Sequence, residues 1–138
     1  MKRWRHERGT AAVEMVLVLP VLLLLLAATV GAGRLVSTKS AVLDVAREAA
    51  RAAAEAPDAA SAEAIASERA RNVAVGLGLD ASRLEVTEDP GAFERGGAYG
   101  VQVTYRVQLS DLPALGFLPG SVVVSARHTE LIERFGSR

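Results

Sequence analysis

Residues 8–33 read RGTAAVEMVLVLPVLLLLLAATVGAG, and this stretch decides the fold. Positions 15–33 are nineteen consecutive residues without an ionisable side chain. As a helix they rise roughly 28 Å at 1.5 Å per residue, close to the hydrocarbon thickness of a bilayer. A soluble core in a chain of 138 residues needs no such run, so the stretch is expected to be a membrane-spanning helix. Glu14 stands at the mouth of the run, five residues after Gly9. A carboxylate there is costly unless something satisfies it, which makes Glu14 a candidate functional residue.

On the N-terminal side lies a basic leader, in which Lys2, Arg3, Arg5 and Arg8 face Glu7 alone. Beyond Gly33 there are twelve basic and fourteen acidic side chains, and the formal net charge of the whole chain is zero. Basic residues crowded at one end of a span hold that end in the cytoplasm, so the expected topology is N-terminus inside, C-terminal region outside. Nucleic acid is not an expected partner: the leader is short, carries no recognition fold and abuts a span. A cleavable secretory signal competes for the same residues. Its apolar core is usually about 7 to 15 residues, shorter than this run. Gly31-Ala32-Gly33 nonetheless offers small residues that a signal peptidase accepts, which gives a mature start near Arg34.

The chain contains no cysteine. Disulfides, thiolate metal sites and a cysteine nucleophile are excluded together. An exported domain of this kind must be held by burial, its own or shared with neighbours.

On the C-terminal side nothing stops the helix at Arg34, which marks the outer membrane boundary. Leu35, Val42, Val45, Ala46, Ala49, Ala52, Ala53 and Ala56 follow helical spacing, with Asp44, Arg47, Glu48, Arg51 and Glu55 on the opposite face. Arg51 is spaced to pair with both Glu48 and Glu55. Span and extension together predict one helix of roughly 40 residues ending near Pro57. A second helix, capped by Asp58 or Ser61, carries the apolar stripe Ala62, Ile65, Ala66, Ala70, Val73 and Leu77, and Gly76 and Gly78 end it.

The hydrophobic period then changes to two. Leu84 and Val86 alternate with Arg83, Glu85 and Thr87 in a short strand, and Asp89-Pro90-Gly91 and Gly96-Gly97 bracket a loop. Tyr99, Val101, Val103, Tyr105, Val107 and Leu109 give the strongest alternation in the chain. Residues 111–120, DLPALGFLPG, form an apolar connection whose Leu115, Phe117 and Leu118 are expected to fold back over the sheet edge, with a partner-binding loop as the alternative. A third strand is predicted over 121–131, with Val122, Val124 and Ala126 on one face, before a fraying ERFGSR tail.

The expected fold class is α+β: a long N-terminal transmembrane helix continuing into an extracytoplasmic amphipathic helix, a second short helix and a small antiparallel sheet of about three strands. The expected divisions are a leader at 1–9, the helix and its extension at 10–56, and a small domain at 57–138. The last would be marginal alone, and packing on the alanine face of the first helix would help it.

No nucleophile–base–acid order, metal cluster or phosphate loop is present: His6 lies in the leader and His128 on the last strand. Neither an enzyme nor a cofactor is expected, and no small-molecule substrate. The chain reads instead as a substrate. If the Gly9–Thr10 bond is cut on the cytoplasmic side, the new chain starts with the Thr10 ammonium and Glu14 becomes its fifth residue. Opposite charges on a neighbouring subunit would then neutralise each, and an unpaired one would cost several kcal/mol. Plainer readings stand beside these. Gly9 is then a loop residue before the span, and Glu14 sits in the headgroup layer near a helix N-terminus, where negative charge is favoured. Pro20 is a tolerated kink or a packing feature, with neighbouring helices satisfying the freed carbonyl. Ala27 and Gly31 form a small-xxx-small pair, which serves helix association or occurs by chance. Trp4 is an interfacial anchor.

A basic leader, a glycine, a glutamate five residues beyond it and a long apolar helix resemble a class III prepilin signal of the type IV pilin superfamily. More narrowly, residues 8–54 resemble the TadE/TadG family of the tight-adherence (Flp) pilus system. The likeness rests on Arg8, Gly9, Glu14, Pro20, Arg34 and the run Ala46-Arg47-Glu48-Ala49-Ala50-Arg51. It implies a pseudopilin or minor pilin of the bacterial cytoplasmic membrane, cut by a membrane aspartyl prepilin peptidase. Gly9 would be the last leader residue, Thr10 the mature N-terminus and Glu14 the charge that pairs with a subunit amine. Other pilin-like subunits and the inner-membrane assembly platform are the implied partners. Met15 stands where Flp-type pilins tend to have an aromatic residue, and the extension past Arg34 is far longer than in a major pilin, which argues against the bulk filament subunit. The alternative is an unprocessed, signal-anchored extracytoplasmic binding or scaffold protein.

Overall fold

The computed structural model describes residues 4–112, 116 and 119–132, with side chains in the first helix described from Val13 onward. Helix α1 (Trp4–Ala54) is 51 residues long and includes Pro20. It exceeds the expected length because it runs back through the leader. Gly9 is the one poor helix former between Trp4 and Glu14, and its cost of about 1 kcal/mol is spread over a long helix. At the other end α1 stops three residues before Pro57, consistent with the bias of residues before proline away from helical backbone.

Helix α2 (Ala59–Gly76) starts at Asp58, whose carboxylate accepts the Ser61 N–H at 2.8 Å, so Asp58 rather than Ser61 is the cap. Its end is a left-handed glycine cap. Gly78 adopts φ 76°, the Leu79 N–H donates to the Ala74 carbonyl at 2.8 Å, and the Gly78 N–H donates to the Val75 carbonyl at 3.0 Å. Leu77, expected on the apolar stripe, is instead 47% exposed because it lies past the last helical turn. Ala62, Ala66, Ala70 and Ala74 are fully buried and form one face of α2. They share the core with the alanines of α1, where Ala50 and Ala54 are buried and Ala52 is only half-buried. Alanine on both helices permits close approach at little side-chain entropy cost.

Strands β1 (Leu84–Asp89), β2 (Ala98–Gln108) and β3 (Ser121–Leu131) form an antiparallel meander in that order. Val86 pairs with Val103, which pairs with Ala126. Tyr99, Val101, Val103, Tyr105 and Val107 of the central strand are buried, while Leu109 leaves the strand in a short helical turn (Leu109–Asp111). Val124 and Ala126 are buried as expected, and Val122 is exposed near the start of β3. One core joins Val42, Val45 and the alanines of α1 to α2 and the inner face of the sheet. The expected fold class is what the structure shows. Leu115, Phe117, Leu118 and the tail after Ile132 lie outside the described residues.

Candidate assembly site along the apolar helix

Every large apolar side chain in residues 13–26 is exposed, with Leu22 at 56% and Leu24 at 62%. Among the described residues, nothing in the chain's own head covers them. Among the described residues α1 is the one helix with the length and composition to cross a membrane, which suggests a single-pass membrane protein.

The predicted site residues fall along this helix without converging. Gly9 and Thr10 have helical backbone within α1, and the Thr10 side chain lies outside the described residues. Cleavage at this bond would require extended backbone, so α1 would have to open there, and glycine lowers the cost of that local opening. Glu14 is exposed and lies ten residues past the start of α1. Helix-dipole stabilisation fades within the first turn, so in the intact chain the helix N-terminus does little for this carboxylate. Cutting after Gly9 would bring a new N-terminus to within five residues of it. Pro20 has no N–H for the Val16 carbonyl, yet α1 continues through it. Ala27 is half-buried, and a Cβ placed on Gly31 meets nothing within 4 Å, leaving room for a second backbone to approach. Thr29 donates its hydroxyl to the Leu25 carbonyl at 2.9 Å and so removes a polar group from the apolar surface.

At the other end of the span, Arg34 does more than mark a boundary. Its guanidinium donates to the Asp111 backbone carbonyl at 2.6 Å, and the Asp111 carboxylate is paired with Arg83. That hydrogen-bonded pairing pushes the Arg83 guanidinium above its ordinary value. Lys39 donates to the Ser125 carbonyl on the outer edge of β3. These ties fix the head against α1 just beyond the apolar run. The sequence signalled only two basic residues after an apolar run, and their partners lie 77 and 86 positions away.

The wet face of the extension is also rearranged. Arg51 reaches Glu55 at 3.6 Å, but Glu48 pairs with Arg69 of α2 at 2.9 Å. The hydrogen bond from Arg69 holds the Glu48 carboxyl below its ordinary value. His128, half-buried, contacts Glu130 at 3.1 Å and lines a groove with Arg47, Arg51 and Glu55. Inside the head, burial pushes the Tyr99 phenol up to about 12 and raises the Glu88 carboxyl, whose Oε1 accepts the Ser67 hydroxyl at 3.0 Å.

These features define a class: an α+β head carried on a single long helix whose first half is an uncovered apolar rod. Residues 9–51 match the family described as TadE-like protein, so this segment of the chain is similar to that family. The match begins at Gly9 and stops within α1, short of α2 and the sheet. No curated protein and no solved structure matched the chain.

Proposed function

We propose that this protein is a pseudopilin or minor-pilin-like subunit of tight-adherence (Flp) pilus assembly, with a structural rather than enzymatic role. The supporting observation is the TadE-like segment that begins at Gly9 and includes Glu14 and the whole apolar rod. In this reading a prepilin peptidase of the cytoplasmic membrane cuts between Gly9 and Thr10. The freed Thr10 ammonium and Glu14 then set the stagger between this subunit and other pilin-like subunits at the membrane's inner edge. A charge pair in a low-dielectric layer is a strong register signal, because a slipped partner leaves a charge unmatched. Pro20, Ala27 and Gly31 would be packing positions for neighbouring helices, and the head would face away from the cytoplasm during pilus initiation or anchoring.

Intact-mass and N-terminal analysis of the protein from its host tests the processing step. A mature chain starting at Thr10 is expected. A start at Met1 points to the unprocessed anchored scaffold, and a start near Arg34 to release by signal peptidase; either result overturns the proposal. Glu14→Ala is expected to leave cleavage largely intact while lowering co-purification with pilin-like subunits.

A further inference from the structure

Among the described residues outside the apolar rod, the large apolar side chains that remain exposed are Val36, Val75, Leu77, Val122, Val123 and Leu131. Five of these six gather at one end of the head. Leu77 shares a cavity wall with Arg34, Ser37 and Thr38, and Val75 lies two residues earlier on α2. Strand β3 rises alongside α1: Ser125 is held by Lys39, whereas His128 and Glu130 line the groove with Arg47, Arg51 and Glu55. The start of β3 therefore points back toward the rod.

Height follows from the two repeats. Lys39 lies about 7.5 Å beyond Arg34 along the helix axis. Val123 precedes Ser125 by two strand residues, about 6.6 Å back toward the rod. A helical side chain leans toward its own N-terminus, which lowers Ser125 further. Val123 thus sits at about the level of Arg34, where the apolar rod ends, with Arg106 exposed as its register partner on β2.

We propose that the rim formed by Val36, Leu77, Val122 and Val123 lies in the headgroup and acyl boundary of the bilayer that α1 spans, so that the head rests on the lipid surface. This rests on the membrane-spanning reading of α1. The occupant follows from continuity: the helix that would fix the rod in the hydrocarbon also fixes the height of the rim, and Arg34 and Lys39 prevent the head from swinging away. Apolar side chains at that depth are stabilised by transfer out of water, and an arginine beside them reaches phosphate while its stem stays among the acyl chains.

Because the chain has no cysteine, single-cysteine variants of the full-length protein carry one spin label each. Labels at Leu23, Leu77, Val123 and Leu131 in phospholipid nanodiscs report relative access to oxygen, which partitions into lipid, and to a water-soluble nickel chelate. A deep-lipid signal is expected at Leu23 and a water signal at Leu131. The oxygen-to-nickel ratio at Leu77 and Val123 should be several-fold above that at Leu131. Ratios at Leu77 and Val123 equal to Leu131, with Leu23 still in lipid, overturn the docked head and leave the span intact. A water signal at Leu23 overturns both. Low access to both reagents at Val123, with spin–spin broadening between copies, shows a second protein copy on the rim and likewise overturns lipid docking.

Discussion

At the residue scale, the head holds two acidic groups whose neutral forms are favoured, Tyr99 buried and Glu88 half-buried. Tyr99 is 1% exposed and meets Phe93 edge-on, with ring centroids 6.0 Å apart. Its pKa rises from 10.0 to about 12 through burial, with Glu88 and Glu63 adding to the shift. The folded state therefore keeps a proton that the unfolded chain loses above pH 10, so stability falls from there until Tyr99 itself ionises near 12. Urea titrations across that window should show the decline in the parent and a shallower one in Tyr99→Phe. Glu88 behaves alike in a lower range: burial raises its pKa from 4.5, and the Ser67 hydroxyl only partly compensates. Its contribution is greatest at low pH and is lost as pH rises through the raised value. Glu88→Gln keeps an acceptor for Ser67 and removes the half-buried charge, so its urea midpoint at neutral pH should equal or exceed that of the parent.

Glycines at two positions separate backbone need from mere presence. A Cβ on Gly97 would strike the carbonyl oxygens of Ala92 and Glu94, the second at 2.9 Å, whereas one on Gly76 meets nothing within 4 Å. Gly97→Ala is expected to cost about 1 to 3 kcal/mol through overpacking. Gly76→Ala should be neutral or stabilise by up to about 1 kcal/mol by restricting the unfolded chain. Chemical denaturation of the two variants checks the pair.

At the scale of elements, α1 and α2 were the most legible parts of the chain. Their periodicity is strong, and Asp58 and Gly78 are local start and stop signals for α2 that need no tertiary knowledge. What misled was the assumption that a stripe continues to the end of its pattern: Leu77 keeps the period but lies beyond the last turn. Likewise Arg51 had two candidate partners on its own helix, Glu48 and Glu55, and the sequence held no sign that Arg69 would come within reach of Glu48. The close packing of α1 and α2 should be intolerant of volume. Ala66 is fully buried and Ala64 is exposed. Ala66→Leu is expected to lower stability by about 1 to 3 kcal/mol, with Ala64→Leu within about 0.5 kcal/mol of the parent, as thermal melts will show. Strand β2 was legible from strict alternation, but not its register. Arg127 of β3 reaches Asp89 of β1 at 2.7 Å across Gly100, where an added Cβ would come within 3.2 Å of the guanidinium. That bridge is decided by which residues the meander sets side by side.

At the scale of the whole molecule, α1 belongs to two environments at once. Its first half is an exposed apolar rod, and its second half supplies Val42, Val45 and five buried alanines to the core of the head. A fragment beginning at Arg34 retains every residue of that core, so it should be soluble and unfold in one cooperative transition by calorimetry. A fragment beginning at Pro57 loses the α1 share and should show no such transition. The apolar run, the absence of cysteine, the leader's charge and the change from helical to two-residue period were all settled by the sequence, because each is a local property of hydropathy and spacing. Tertiary structure alone decided that Arg34 and Lys39 clamp the head above the rod, that Glu48 reaches across to α2, and that exposed apolar side chains gather at the rod's end of the head. Those are contacts between residues far apart in the chain, fixed only when helices and strands pack, and no local pattern encodes which distant groups will meet.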